Sequence, residues 1–160
     1  RSYNSATATF AEELGMVPVQ VEAAELSQAL ATGVAESFIS SGSTGYDRKV
    51  WEHLTHYYKV NAWLPRNYVM VNKGVWEGLS AEVQAGVQKA ADETGAACSA
   101  KSAELAGWYF EQLEANGMTV ADAGPEFLAE LEAIGTKMTA DWLTTAGADG
   151  QAILDAYNSN

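Results

Sequence analysis

Apolar residues along this chain recur first with a helical period, then with a strand period, and then repeat the cycle. Ala6, Phe10, Ala11 and Leu14 fall at helical spacing, and Gly15 follows as a C-terminal stop. Val17, Val19 and Val21 alternate with Pro18 and Gln20, the pattern of a half-buried or edge strand over residues 17–21. Glu22 and Glu25 suit the first turn of a second helix, where the dipole favours acids. That helix carries Leu26, Ala29 and Leu30 on one stripe and closes at Gly33, because glycine adopts the left-handed cap without a Cβ penalty. A short strand is expected over 34–39. Such alternation predicts parallel pairing through right-handed crossovers, and therefore an α/β layer with any ligand outside the carboxyl ends of the strands.

Beyond a Ser/Gly-rich loop, Ser40 to Gly45, a short helix is expected over 47–54 and strands over 55–63 and 67–72, with Leu64-Pro65-Arg66 changing direction between them. Ser80 is a suitable N-cap for a helix over 81–115, about 50 Å long if continuous, with Gly86, Gly95 and Gly107 as places where it could bend. Its stripe runs through Val83, Val87, Cys98, Leu105, Trp108, Tyr109 and Leu113. Asn116-Gly117 ends it, 118–121 adds a strand, and Pro125 opens an amphipathic helix through Leu131, Ile134, Met138 and Trp142. Ile153, Leu154 and Tyr157 lie on a last short helix.

Composition narrows the function. With 160 residues, 48% of them hydrophobic, the chain can bury a core, and a net charge of −12 repels nucleic acid and anionic membrane surfaces. The single cysteine, Cys98, allows no internal disulfide and reads as a small buried hydrophobe. His53 and His56 are three residues apart but lack further ligands nearby, so they read as solvated or capping histidines, and no metal or other cofactor is expected. Gly42-Ser43-Thr44-Gly45 offers backbone N–H groups and hydroxyls to an anion, yet it lacks the lysine and spacing of a P-loop.

Arginine is scarce, occurring only as Arg1, Arg48 and Arg66. Arg48 reads as a surface charge. For Arg1 and Arg66, at expected strand ends, both a carboxylate clamp and a structural role are open. Phe38, Trp51 and Trp63 could wall a ligand or fill the core, whereas Trp76, Trp108 and Trp142 fall on helical stripes and are expected in the core.

Arg1-Ser2-Tyr3-Asn4, Gly15-Met16-Val17-Pro18-Val19, and Glu25-Leu26 with Ala29-Leu30-Ala31-Thr32-Gly33-Val34-Ala35-Glu36 stand in order and spacing close to R-x-P-N, G-x-x-P-V and E-L-x-x-A-L-Q-x-G-x-V-D-G. Lys49-Val50-Trp51-Glu52 and Leu79-Ser80 with Gln84 and Ala90-Ala91 add two more matches. The chain thus resembles the C-terminal half of a TRAP-transporter periplasmic solute-binding protein of the DctP-like family. The resemblance implies a periplasmic-binding-protein-like α/β fold of two lobes. Here that means mostly the second lobe (1–65), a crossing strand and the first part of the long helix packing on an absent N-terminal lobe (66–105), and C-terminal helices returning to the second lobe (106–160). It further implies a receptor, not an enzyme, that captures a small organic acid by hinge closure and hands it to membrane permease subunits. It also implies an N-terminal portion and a cleaved signal peptide ahead of Arg1.

The ligand-clamping arginine of the family falls on Arg1, its polar neighbour on Asn4, and pocket positions on Phe38 and Ser40. With Ser43, Trp63 and Arg66 these make up the expected binding residues. Tyr3 replaces the usual proline, Ala31 the glutamine, Glu36-Ser37 the Asp-Gly, and Ser40-Ser41 the Asn-Pro of many sugar-acid binders. Small hydroxyls beside aromatic rings suit a less polar monocarboxylate, such as an aromatic or short aliphatic 2-oxo or 2-hydroxy acid. An α/β enzyme acting on a small carboxylic acid, with Glu36 or a histidine as base, is the alternative.

Overall fold

The computed structural model describes residues 1–64 and 67–159. Helix α1 (Ser5–Glu13) starts where expected, because Asn4 and Thr7 satisfy each other's backbone. The Asn4 side chain accepts from the Thr7 N–H at 2.8 Å, and the Thr7 hydroxyl accepts from the Asn4 N–H at 3.2 Å. Gly15, at φ +71°, takes the chain out of the helix.

The expected strand over 17–21 is reduced to a single parallel bridge between Ser2 and Gln20. Ser2 N–H donates to the Val19 carbonyl (3.0 Å) and Val21 N–H to the Ser2 carbonyl (3.2 Å). Pro18 has no donor to extend the ladder, and Val17 lies in solvent. A 3-10 turn (Ala23–Glu25) leads into α2 (Leu26–Ala31), whose Leu26, Ala29 and Leu30 are all buried. Gly33, at φ +72°, ends it as anticipated. Residues 34–40 do not form the expected strand. They bend at Val34 and Glu36, and they meet the Ser2 segment through the main-chain nitrogen of Arg1, which donates to the Ser37 carbonyl at 2.6 Å.

The next helix, α3 (Gly42–Asp47), lies earlier than the expected 47–54, which contains only a 3-10 turn (Val50–Glu52). Packing explains the shift. A Cβ on Gly42 would stand 3.3 Å from both Phe110 and Tyr109, so glycine lets α3 press against the long helix despite its poor propensity. Strand β1 (His56–Lys59) covers only four residues of the expected 55–63. It pairs in parallel with β2 (Thr119–Asp122), His56 opposite Thr119 and Lys59 opposite Asp122. Residues 67–72 form no strand among the described residues and are exposed throughout. A short helix not anticipated from sequence, α4 (Lys73–Glu77), follows on an Asn72 cap.

Helix α5 (Ala81–Ala115) runs 35 residues without a break at its glycines, with Ser80 accepting from the Val83 N–H. Its stripe is not a core stripe. Leu113 is buried and Leu105, Tyr109 and Phe110 are half-buried, but Val83, Val87 and Cys98 are exposed, and the start of the helix is met by the preceding segment at Gln84, whose side chain donates to the Trp76 carbonyl at 2.8 Å. Trp108 (38% exposed) and Trp142 (47%) also lie outside the expected core, and Trp76 is half-buried. Helix α6 (Pro125–Asn158) breaks at Gly147, where φ 60° and ψ −142° leave the helical region, separating off the last helix foreseen in the sequence. Leu131 and Ile134 are buried, and Lys137 pairs with Glu13 of α1. Among the described residues no helix is long and apolar enough to cross a membrane.

One core holds these pieces together. Val21, Leu26, Ala29, Leu30, Ala35, Val50, Leu113 and Met118 are buried in contact, with Phe38, Trp51, Leu54, Tyr57 and Val120 packed around them. Full burial of a side chain the size of Leu26 or Leu113 contributes about 2–3 kcal/mol. These two therefore fix α2 and the end of α5 beneath the segments that carry Arg1 and Ser40.

Candidate functional site

Arg1 is locked between two chain segments. Its main-chain nitrogen is bound to the 34–40 segment at Ser37, and its Nε donates to the Val21 carbonyl at 2.7 Å. Its guanidinium lies 5.1 Å from the centre of the Tyr3 ring, close enough for a cation–π contact. Among the described residues no carboxylate is within 4.0 Å of it, since the five ion pairs all involve lysines. Burial pushes the guanidinium pKa down, and the charges of Glu22 and Tyr3 push it back up. An arginine so placed stays charged at neutral pH.

The guanidinium opens onto a depression of about 290 Å³ lined by Arg1, Tyr3, Glu22, Ala23, Ser40 and Thr44. Its chemistry is one cation, one carboxylate, an aromatic ring and two hydroxyls. That set can hold a carboxylate at Arg1 and meet the rest of a small ligand with hydroxyls. The lining contains no imidazole or thiol to act as a general base or nucleophile. Among the described residues no three His, Cys, Asp or Glu converge on a possible metal position.

Of the residues expected from sequence, the structure brings Arg1 and Ser40 into this depression. Asn4 is occupied in capping α1, with its Oδ1 facing both the N–H and the hydroxyl of Thr7. Phe38 packs against the core. The Ser43 hydroxyl hydrogen-bonds that of Ser41 at 2.7 Å on the first turn of α3. Trp63 stands 36% exposed beyond β1 and does not line the depression. Arg66 lies outside the described residues. His53 is exposed. His56 hydrogen-bonds Thr55 and stacks on Tyr58, with 5.9 Å between ring centres. Thr44 belongs to the 42–45 stretch offered to an anion and Tyr3 to the 1–4 stretch, though neither is among the expected binding residues; Glu22 and Ala23 fall outside both stretches. For Glu22 the available signal was its place just beyond the alternating 17–21 stretch, at the carboxyl end where ligands gather.

Comparison with known proteins agrees across nearly the whole chain. A marine metagenome TRAP solute-binding protein specific for pyroglutamate, from an unidentified microbe and solved with co-purified pyroglutamate, is 79% identical over 100% of this chain, with a TM-score of 0.95. DctP6 of Bordetella pertussis, an extracytoplasmic solute receptor binding pyroglutamic acid, is 44% identical over the same span, with a TM-score of 0.96. This chain covers 53% of each of those structures, so its α/β fold is that of about half of a two-lobed periplasmic binding protein. The C4-dicarboxylate-binding periplasmic protein DctP of Rhodobacter capsulatus is 36% identical over 81 residues, which are 51% of this chain and 24% of that protein. The family model described as bacterial extracellular solute-binding protein, family 7, matches residues 1–145, and the chain belongs to this DctP family.

Proposed function

We propose that this chain supplies the ligand-clamping half of a TRAP-type solute receptor whose ligand is pyroglutamate or a close cyclic monocarboxylate. The observation that carries this reading is Arg1, held at Nε by the Val21 carbonyl with no carboxylate within 4.0 Å among the described residues, sharing a small depression with Ser40 and Thr44. A guanidinium held that way offers its remaining N–H groups as a fork that matches a carboxylate. Pyroglutamate carries one carboxylate on a five-membered lactam, whose neutral N–H and C=O suit hydroxyl partners. The relative that is 79% identical is specific for it. Within the small monocarboxylates expected from sequence, a lactam acid therefore replaces the aromatic or short aliphatic 2-oxo or 2-hydroxy acid as the preferred candidate.

In this proposal Arg1 binds the carboxylate, Ser40 and Thr44 contact the ring, and Tyr3 forms a wall. Asn4 and Phe38 act indirectly, by fixing the start of α1 and the 37–40 segment. Residues 1–65 form one lobe, 66–105 pack on a second lobe outside this chain, and 106–160 return to the first. Ligand bridging the two lobes favours the closed form because only there are both sets of contacts made. The closed receptor then delivers its cargo to a membrane permease from the periplasm. The relatives compared above are solute-binding proteins and receptors, which removes the support for the enzyme alternative.

The test is calorimetric titration of the complete protein carrying this chain with pyroglutamate, succinate and ectoine. Pyroglutamate is expected to bind tightest, and at 100 times its Kd to add about 2.7 kcal/mol of stability. Absence of heat and of thermal stabilisation with every acid would end the receptor assignment.

A further inference from the structure

We infer that Glu22 is a charge filter that makes the depression selective for monocarboxylates over dicarboxylates. This rests on the receptor reading above and concerns which acids the same site rejects. Beyond its favourable place at the start of a helical turn and its charge near Arg1, the carboxylate of Glu22 makes no side-chain hydrogen bond among the described residues. It occupies the N-cap of the 3-10 turn Ala23–Glu25 but makes no side-chain cap hydrogen bond, and it enters none of the ion pairs among the described residues. Its position is nonetheless fixed. The preceding carbonyl, that of Val21, takes the Arg1 Nε–H at 2.7 Å, and its own carbonyl accepts the Glu25 N–H at 3.0 Å. The main chain that immobilises the guanidinium thus sets a negative charge on the rim of the same depression.

Among the described residues Arg1 and Glu22 are the only charged ones in the lining, so their formal charges cancel before a ligand arrives. One ligand carboxylate is met by Arg1. A second meets no further cation in this lining, and wherever it stays within the 290 Å³, about 8 Å across as a sphere, it stays near Glu22. Two like unit charges at that separation, between surface and bulk dielectric, weaken binding roughly tenfold. A neutral lactam ring in the same place suffers no such repulsion. Glu22 also opposes the first carboxylate, but there Arg1 offsets it.

The decisive measurement is the ratio of Kd for glutarate to Kd for pyroglutamate in the complete protein. Glutarate keeps the five-carbon skeleton and puts a carboxylate where pyroglutamate has its lactam carbonyl. Glu22→Gln is expected to lower that ratio roughly tenfold, while Glu22→Asp, which keeps the charge, preserves it. Raising the salt concentration should compress the wild-type ratio towards the Gln variant's, since the charge is exposed. A ratio that stays within twofold in Glu22→Gln overturns the filter while leaving the receptor intact. A loss of pyroglutamate affinity without a drop in the ratio also overturns it, showing that Glu22 accepts a hydrogen bond from the ligand instead. Wild-type protein that binds neither acid refutes the receptor assignment, and the filter falls with it.

Discussion

A guanidinium that spends one N–H on a backbone carbonyl has four left, and in Arg1 they face a small polar depression beside an aromatic ring. Lysine at this position keeps the charge but loses both the planar fork and the Nε anchor. Arg1→Lys should therefore weaken pyroglutamate binding by roughly 10- to 100-fold in titrations of the complete protein, with little change in its unliganded melting temperature. Retained affinity would remove Arg1 from the site. Scarcity of arginine and a place at a predicted strand end leave Arg1 open between a clamp and a structural role, and it is the family resemblance that puts Arg1 and Ser40 among the expected binding residues. For Glu22 the positional signal is outweighed, since an acid in a helix's first turn already has an explanation in the dipole. Asn4 and Phe38 show the converse problem. Capping and core packing call for the same residue types as ligand binding, and here the capping and packing roles are the ones the structure displays.

At the scale of elements, what could be read was whatever local chemistry decides. Asn4 starts α1, Ser80 starts α5, and Gly15, Gly33 and Gly117 stop their helices at positive φ. What could not be read depends on partners distant in sequence. The Val34–Ile39 and Asn67–Asn72 stretches have strand composition but no continuous ladder among the described residues, and α3 forms over Gly42–Asp47 because the long helix accepts it there. The glycines of these two helices should respond oppositely to alanine. Gly42→Ala forces a Cβ to within 3.3 Å of Phe110 and Tyr109, an overpacking expected to cost about 1–2 kcal/mol in denaturant unfolding. Gly95→Ala meets nothing within 4 Å and should gain up to about 1 kcal/mol from helix propensity. Equal effects would contradict the α3–α5 packing. Strand β1 adds a pH dependence. Burial raises the pKa of Tyr57 above its ordinary value of 10.0. Above pH 10 the unfolded chain then releases this proton before the folded one, so stability is full below that pH and falls as pH rises through the folded-state value. Tyr57→Phe should flatten this alkaline loss, measured as melting temperature against pH; an unchanged slope would assign the loss to other groups.

At the scale of the whole molecule, the buried core contrasts with a set of large apolar side chains that the described residues leave exposed. Leu64, Tyr68, Val69 and Met70 are exposed, Val69 completely, and Val83 and Val87 continue the same exposure along the start of α5. Water contact with this many large apolar side chains is unfavourable and favours association. The chain spans about half the length of the related structures, which fits the proposal that residues 66–105 pack against another lobe. Residues 1–160 produced alone should then bind a hydrophobic dye such as ANS and self-associate in sedimentation, while the complete protein does neither. Pyroglutamate should stabilise the complete protein but leave the melting temperature of the isolated chain nearly unchanged if, as proposed, Arg1 supplies one side of a clamp that needs two. A monomeric, dye-silent chain would show that this surface is stable in water, removing the interlobe assignment of 66–105 while leaving the Arg1 site to stand on its own titrations.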